Sequence, residues 1–325
     1  MAVMVQSSGN FNKMVSLYEN PILEYWQDKY AQAYKNSMIP VLFDQVQSDN
    51  PTEAISELVG AIDFKEWNGE FTYSSVKEGN TKVFTPLVWQ AGMKYDRFLL
   101  SNAKLVNLKT EHGMFALGAA RTRNDCAGGI FTYADQTAGY TVNGGTTIAW
   151  NLGGNGLPLA SGSQTSANYS STQDNLSTLE LSEENLETVC QKLFDVCDEN
   201  GKRAGMNPDM LIVPTALRKK ALEIVGSTGK SDTGDNNANI YDGNIKVCVW
   251  SDFRKQSTKS AQPWAVIDSM AAKESLKVIN RLESGDDYEL ISWKDEATQT
   301  WTIGSLMWYT MGAFSWHPLQ FSIPA

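Results

Sequence analysis

The chain has 325 residues, of which 42% are hydrophobic and 10% aromatic, so it can bury a large core and has the length of about two domains. The formal net charge of −10 argues against a dedicated nucleic-acid-binding protein, in which Lys and Arg concentrate on one face. The N-terminal residues show no secretory signal, and the least polar stretch, IGSLMWYTMGAFSW, is too short for a membrane helix. We therefore expect a soluble protein made in a cytoplasm, with no membrane partner.

Residues 1–45 form a predicted N-terminal arm. Pro21 and Pro40 mark the start and the end of a short helix. Its aromatic side chains need a surface to cover them, either on another subunit or on the chain's own core. The side chains concerned are Tyr25, Trp26, Tyr30 and Tyr34.

A short helix and a β-hairpin are predicted next. Asn50 is a favourable N-cap, with Pro51 in the first turn of the helix. Two amphipathic runs at 71–76 and 82–89 are separated by the turn-like KEGN segment at 77–80. Because a two-stranded ribbon is marginal by itself, we expect it to pack on its own chain or to reach a neighbour.

The middle of the chain predicts a long helix followed by loops. Apolar residues from Leu105 to Ala120 fall near one helical face, so a helix should run from 105 to about 128. His112 lies on that face, and we interpret it as a hydrogen-bonded packing residue, since no second His or Cys follows at metal-ligand spacing. A turn at Asn143-Gly144 and a Gly/Ser-rich stretch occupy 131–180.

A compact α/β unit is predicted after residue 180. Ser182 caps a helix with one apolar stripe, and Gly201 ends it. Buried strands are expected at 210–213, 245–250 and 264–268, a helix at 215–225, and aromatic-rich strands towards the C-terminus. The predicted stripe consists of Leu186, Val189, Cys190, Leu193, Phe194 and Cys197. The four cysteines, Cys126, Cys190, Cys197 and Cys248, are interpreted as reduced, buried thiols.

No motif in the sequence predicts catalysis. Gly229-Lys230-Ser231 resembles the end of a phosphate-binding loop, but Ile224 stands where the first glycine belongs and a helix, not a strand, precedes the loop. The STGKSDTGDNNAN stretch is instead typical of a solvated loop. Only two histidines are present. We expect no enzyme activity, no metal and no cofactor, although two carboxylates would suffice for a glycosidase.

The order of these elements resembles that of tailed-phage major capsid proteins of the Hong Kong 97 type, and is similar to the Mu-like major head subunit family. The most specific segments are GNGLPLASGS, NLSTLELSEENLETV, DENGKRAGMNPDMLIVPTALRKKALEIV and GNIKVCVWSDF, within 150–253. The family often continues its Leu-Pro-Leu segment with a Phe-Ser-x-x-His-like ending, which is replaced here by Ala160-Ser161-Gly162-Ser163.

The resemblance implies an α+β fold of the Hong Kong 97 type. It implies an arm at 1–45, a short helix and extended hairpin loop at 46–100, a peripheral domain with a spine helix at 101–180, an axial domain at 181–267 and peripheral terminal strands at 268–325. The implied inter-subunit contacts are the four arm aromatics and the hairpin residues Phe71, Tyr73, Lys77, Glu78, Lys82, Phe84 and Trp89. The implied capsomer-axis loop contains Thr228, Lys230, Asp232, Asp235 and Asn237.

The same resemblance implies a structural head protein rather than an enzyme. Copies would assemble in the host cytoplasm into pentamers and hexamers of an icosahedral shell, with a separate scaffold, a portal and other head proteins as partners. The virion would enclose double-stranded DNA without sequence-specific binding. A cellular nanocompartment shell of the same fold and a secreted carbohydrate-binding or carbohydrate-hydrolysing protein are the alternatives.

Overall fold

The structure, a computed structural model, describes residues 8–57, 62, 64–71, 73, 75, 78–102, 105–226, 241–282 and 286–324. Over these residues the strands form two five-stranded sheets and one two-stranded ribbon. The helices are α1 (Ser8–Lys35), α2 (Ile39–Leu42), α3 (Arg97–Asn102), α4 (Leu105–Thr132), α5 (Glu183–Phe194), α6 (Arg218–Val225) and α7 (Ser269–Ser275). The strands are β1 (Asp44–Gln47), β2 (Glu53–Ser56), β3 (Thr81–Phe84), β4 (Leu87–Asp96), β5 (Leu176–Ser177), β6 (Met210–Val213), β7 (Lys246–Val249), β8 (Trp264–Ile267), β9 (Leu276–Asn280), β10 (Glu289–Asp295), β11 (Thr300–Ala313) and β12 (Leu319–Ser322).

The first sheet is organised around the long strand β11. It pairs antiparallel with β4 along one edge, and along the other edge with β10 and then β9, which in turn pairs parallel with β1. Alternate residues of β11 are buried, as expected for a strand with one face against a core. The predicted strand character of the C-terminal segments is therefore confirmed.

Helices α1 and α4 pack against each other and against this sheet. The predicted long helix is confirmed as α4. Helix α1 is longer than predicted, because Pro21 lies inside it and does not mark its start. Its buried residues Phe11, Val15, Ile22, Trp26 and Tyr30 recur at helical spacing, so the apolar stripe continues on the N-terminal side of the proline.

Two of the buried polar side chains in this helical layer differ in their bonding. Arg123 of α4 is fully buried, and its Nη2 lies 2.7 Å from Oδ1 of Asn280 and 3.1 Å from Oδ1 of Asp287. His112 packs near the rings of Tyr95 and Trp301, and among the described residues neither of its ring nitrogens has a hydrogen-bond partner. Burial lowers the pKa of His112 to about 4. The predicted packing role fits, but the predicted hydrogen bond is wrong.

The second sheet has the strand order β5-β12-β8-β6-β7. Helix α5 packs on β12 and β8, and Oγ of Ser182 accepts a hydrogen bond from the backbone N–H of Asn185, which confirms the predicted cap. Phe194 is 47% exposed and Cys197 is half-buried, so the last two positions of the predicted stripe are wrong. The helix ends at Phe194, and helical spacing no longer places the following residues on the stripe.

The second sheet draws its strands from three of the predicted segments. The outer strand β5 comes from before residue 181, and β12, near the C-terminus, lies between β5 and β8. The segment 181–267 therefore closes its sheet only with strands from both neighbouring segments. The second sheet is covalently tied to the first through residues 314–318, between β11 and β12.

The two-stranded ribbon corrects the prediction for residues 46–100. Over the described residues 51–57 the helix expected after Asn50 does not form, and β2 pairs antiparallel with β3 over Glu53–Ser56 and Thr81–Phe84. Asn50 does not cap a helix, since its Nδ2 donates to the Glu53 carboxylate at 2.7 Å. Of the strand predicted at 71–76, the described residues 71, 73 and 75 belong to no strand, and residues 72, 74 and 76 lie outside the described residues. Long-range pairing with β3 overrides the local helix signal.

Candidate inter-subunit surface

The β2–β3 ribbon supports an extended loop, which we define as residues 57–80. Its root is closed by two backbone hydrogen bonds, from Glu57 N–H to the Asn80 carbonyl at 2.9 Å and from Gly79 N–H to the Glu57 carbonyl at 2.7 Å. Beyond the root, the described residues 62, 64–71, 73 and 75 have exposed side chains and belong to no helix or strand. The loop is therefore held at its base and exposed to solvent at these described residues.

Aromatic side chains of the extended loop are exposed. The exposed fractions are 102% for Phe64, 63% for Trp67, 76% for Phe71 and 91% for Tyr73. Trp67 and Phe71 contact each other edge to face, with ring centroids 5.1 Å apart. Exposed aromatic side chains of this kind are typical of protein–protein contacts, where aromatic residues are enriched. We define these four residues as the loop aromatic cluster.

An apolar groove of about 590 Å³ lies elsewhere on the same chain, between β4, α4 and the turn at 142–146. Trp89, Phe115, Val142 and Met307 contribute apolar wall, and Arg121 is a charged residue of its lining. The Trp89 Nε1 and the buried Ser305 Oγ have no hydrogen-bond partner among the described residues. The groove therefore combines an apolar wall with unused polar groups, as binding surfaces do.

The turn that borders this groove forms as predicted. Asn143 and Gly144 have φ values of 52° and 68°, the left-handed conformation that a tight hairpin turn requires. Gly145 N–H donates to the Val142 carbonyl at 3.0 Å, and Tyr140 bridges Ile148 in antiparallel fashion.

The hairpin residues predicted to contact a neighbour have different environments. Phe71, Tyr73 and Glu78 are exposed on the extended loop. Trp89 is half-buried in the groove, whereas Lys82 and Phe84 are buried within the chain. Lys77 lies outside the described residues. In this conformation a neighbour can reach the first four, but Lys82 and Phe84 are corrected to intrachain packing, because they occupy the buried positions of β3.

Lys82 is bound by backbone carbonyls. Its Nζ donates to the carbonyl oxygens of Leu152 at 2.6 Å, Ala313 at 3.1 Å and Trp150 at 3.2 Å. Burial lowers the pKa of Lys82 to about 7. This side chain therefore connects the ribbon to the end of β11 and to the loop at 150–152, and sequence alone gave no sign of it.

The arm aromatics lie mainly against the chain's own core. Trp26 and Tyr30 are buried and contact Tyr288 with ring centroids 4.6 Å away in both pairs. Tyr25 and Tyr34 are half-buried, and Tyr25 lies where a Cβ at Gly113 of α4 would come 3.0 Å from its ring. For Trp26 and Tyr30 the implied inter-subunit contact is therefore corrected to packing on the chain's own core.

The remaining predicted positions are those of the capsomer-axis loop and the four cysteines. The capsomer-axis loop residues Thr228, Lys230, Asp232, Asp235 and Asn237 lie outside the described residues. Cys126, Cys190 and Cys248 are buried free thiols, and Cys197 is partly buried. Burial raises the pKa values of Cys126 and Cys190 to about 12, so both thiols stay protonated at neutral pH.

Neither a metal-binding cluster nor a membrane-spanning helix occurs among the described residues. They contain no group of three or more His, Cys, Asp or Glu side chains that could hold a metal ion. They also contain no helix long and apolar enough to cross a membrane.

Comparisons with known proteins identify the fold. Residues 168–253 match the model of a family described as Mu-like prophage major head subunit gpT. A chain from the capsid of bacteriophage JBD30 aligns with a TM-score of 0.54 and 13% identity, over 69% of this chain and 93% of that chain. A chain from Mycobacterium phage Patience aligns with a TM-score of 0.54 and 10% identity, over 100% of this chain and 90% of that chain. The fold is the Hong Kong 97 type of phage capsid proteins.

The resemblance detected in the sequence is thereby confirmed. The family match falls within the segment 150–253 that carried it. A third chain, from Microbacterium phage Oxtober96, aligns with a TM-score of 0.52 and 10% identity, over 89% of this chain and 91% of that chain. The comparison with curated proteins found no match.

Proposed function

We propose that this chain is the structural subunit of a tailed-phage head and assembles into pentamers and hexamers of an icosahedral shell. The observation that carries the proposal is a Hong Kong 97-type fold whose extended loop presents an aromatic cluster that its own chain leaves uncovered. The family match to a major head subunit supports the same function. It also favours a phage head over a cellular compartment shell or a carbohydrate-active protein.

The loop aromatic cluster and the apolar groove have complementary character. Each aromatic side chain can bury about 150–250 Å², so four of them approach the roughly 800 Å² that one partner contributes to a standard interface. The sequence IDFKEWNGEFTY at 62–73 carries three acidic residues and one basic residue, while Arg121 lines the groove. We propose that the loop of one copy lies over an adjacent copy and seats aromatic side chains in its groove.

The other partners follow from the proposed shell. Double-stranded DNA is enclosed without sequence-specific binding, which is compatible with the net charge of −10. A separate scaffold, a portal and other head proteins are the remaining partners. The protein belongs to the virion and is assembled in the host cytoplasm. Its function is structural and not enzymatic, and the protonated Cys126 and Cys190 thiols do not serve as nucleophiles.

Electron microscopy of the purified recombinant protein, with light scattering on the same sample, tests the proposed assembly. We expect closed particles, or rings of the size of pentamers and hexamers. A protein that remains a monomer even when it is co-expressed with its scaffold would contradict the proposal.

A double variant, W67A/F71A, tests the role of the extended loop. We expect a subunit with unchanged melting temperature that no longer forms particles, because both side chains are exposed and contribute to no intrachain core. The matched control is E66A/E70A, which changes two exposed charges of the same loop. Normal particles from W67A/F71A, or equal loss of particles in both variants, would contradict the assigned role.

A further inference from the structure

Asn68 and Gly69 form an exposed asparagine–glycine pair in the extended loop. The same dipeptide also occurs in the sequence at 143–144, 155–156 and 200–201. Asparagine is a chemically labile residue, and a following glycine has no side chain to shield the backbone nitrogen between the two. Because the four pairs share this local chemistry, their surroundings in the fold decide how readily each of them reacts.

The reaction of such a pair needs only water. The backbone nitrogen of the glycine loses its proton and attacks the side-chain Cγ of the asparagine. The new N–C bond closes a cyclic succinimide, and the side-chain nitrogen leaves as ammonia. Water then opens the ring at one of its two carbonyl groups, which yields either aspartate or isoaspartate. One water molecule is consumed for each ammonia released, and nothing is oxidised or reduced.

Asn68 lies where little opposes this attack. Asn68, Gly69 and Glu70 are exposed and belong to no helix or strand. A side chain at Gly69 would meet no atom within 4 Å, so the backbone beside the attacking nitrogen is open to solvent. Among the described residues, neither the Gly69 N–H nor Nδ2 of Asn68 donates a hydrogen bond. The attacking nitrogen and the leaving nitrogen are therefore both unrestrained by these residues.

The hydrogen bond that the Asn68 side chain does make favours the reaction. Its Oδ1 accepts from the Glu70 N–H at 3.3 Å. This bond closes an Asx turn, which folds the side-chain carbonyl back over the backbone that contains the Gly69 nitrogen. During the attack negative charge develops on Oδ1, and an N–H donor at that oxygen stabilises the charge.

The pair at Asn155 has the same turn but is restrained at both reacting nitrogens. Oδ1 of Asn155 accepts from the Leu157 N–H at 3.1 Å, as Oδ1 of Asn68 does from Glu70. However, Nδ2 of Asn155 donates to Oε1 of Gln164 at 2.8 Å. The Gly156 N–H donates to the Gly153 carbonyl at 3.1 Å. The comparison isolates the free nitrogens as the feature that distinguishes Asn68.

The other two pairs are each restrained at one of these nitrogens. Nδ2 of Asn143 donates to Oγ1 of Thr122 at 2.9 Å. In the pair at 200–201, the Gly201 N–H donates to the Asp198 carbonyl at 3.0 Å. A hydrogen bond at the leaving or the attacking nitrogen must open before the ring closes, so both pairs should react more slowly than Asn68.

We propose that Asn68-Gly69 is a site of spontaneous deamidation and isomerisation, which reacts ahead of the other three Asn-Gly pairs in the folded chain. Isoaspartate inserts a methylene group into the backbone and adds a carboxylate between Trp67 and Phe71, whose rings are in contact. The product therefore changes both the direction and the charge of the chain within the loop aromatic cluster. The reaction belongs to the single chain and does not depend on shell assembly.

Peptide mapping by mass spectrometry tests this site. The full-length subunit is incubated at mildly alkaline pH in isotopically labelled water, whose oxygen marks each product hydrolysed during the incubation. Each hydrogen bond that must open slows the reaction by up to about tenfold. We expect initial labelling at Asn68 to exceed that at Asn155 by about tenfold or more, with Asn143 and Asn200 between them. Labelling at Asn68 that is equal to or slower than labelling at any other pair would overturn the proposal.

The same protein unfolded in urea shows whether the fold causes this order. The tertiary hydrogen bonds at the other pairs are then lost, so the four pairs should be labelled at similar rates. An order that is unchanged in urea would overturn the structural basis of the proposal.

Two substitutions test the two structural features separately. Gly69→Ala places a methyl group beside the attacking nitrogen, so it should slow labelling at Asn68 and leave Asn143 unchanged. Thr122→Val removes the acceptor of the Asn143 amide, so it should raise labelling at Asn143 towards that at Asn68. Circular dichroism establishes that each variant is folded. Wild-type labelling at Asn68 in folded Gly69→Ala, or at Asn143 in folded Thr122→Val, would overturn the proposal.

Discussion

Helix α1 and the extended loop are both rich in aromatic residues, yet they bury them to opposite extents. Trp26 and Tyr30 of α1 are 0% and 2% exposed, whereas Trp67 and Phe71 of the loop are 63% and 76% exposed. The difference follows from spacing, because the α1 aromatics continue an apolar stripe that faces α4. The loop aromatics have no regular element to align them and no intrachain surface to cover them. Aromatic content alone therefore does not distinguish core from interface.

Alanine substitutions at Trp26 and Trp67 should show the largest effect and test this comparison directly. We expect W26A to lower the free energy of unfolding by about 3–5 kcal/mol, as large-to-small changes in a core do. We expect W67A to change it by less than about 0.5 kcal/mol, because Trp67 contacts solvent and Phe71. Urea unfolding of the unassembled subunit measures both. Equal losses would show that the loop is part of the intrachain core.

Local patterns predicted the elements whose partners are near in sequence. Ser182 and the stripe from Leu186 to Leu193 specified α5. The strand β2 was missed, because its partner β3 lies beyond the whole extended loop. For the same reason the sequence left open whether Trp26 packs on another subunit or on its own chain. An apolar stripe shows that a side chain is buried, but not which surface covers it.

The candidate site was predictable only in part. Phe71 and Tyr73 were identified from the family resemblance, whereas Phe64 and Trp67 were missed, although the DFKEWNGEFTY segment sets aromatics among charged and turn-forming residues. The groove combines β4, α4 and β11, and Glu57 lies beside His317, which is near the other end of the chain. Such juxtapositions depend on topology and have no local signal.

Lys82 lies where the exposed loop joins the β2–β3 ribbon. Its titration should have the next largest effect on the free energy of unfolding. Its pKa is lowered from 10.5 to about 7 by burial, so between these values the unfolded chain binds more protons than the folded chain. Folding stability attributable to Lys82 is therefore fully present above pH 10.5 and is lost as the pH falls through about 7.

A comparison of wild type with Lys82→Met isolates this effect. The stability of the wild type should rise relative to the variant between pH 7 and 10, by on the order of a few kcal/mol, since one pKa unit is worth about 1.4 kcal/mol. Lys94→Met, at an exposed position of β4, is the control and should parallel the wild type. Urea unfolding at several pH values measures the difference. Parallel curves for wild type and Lys82→Met would show that Lys82 is not buried as described.

Substitutions of two glycines in the extended loop should have the smallest effects on the free energy of unfolding. Their comparison shows which part of the loop is anchored and which part is free. At Gly79 a Cβ would come 3.0 Å from the Glu57 Cβ, an atom close to the backbone that cannot move without shifting the root. Gly69 has a φ of 104°, but nothing lies within 4 Å of its Cβ position.

We expect Gly79→Ala to lower the free energy of unfolding by about 1–3 kcal/mol through overpacking. Gly69→Ala is strained locally, but the surrounding loop packs on no core, so it can relax with a loss below about 0.5 kcal/mol. Urea unfolding of both variants would disprove this boundary if Gly69→Ala were the more destabilising change, because the tip would then be held as firmly as the root.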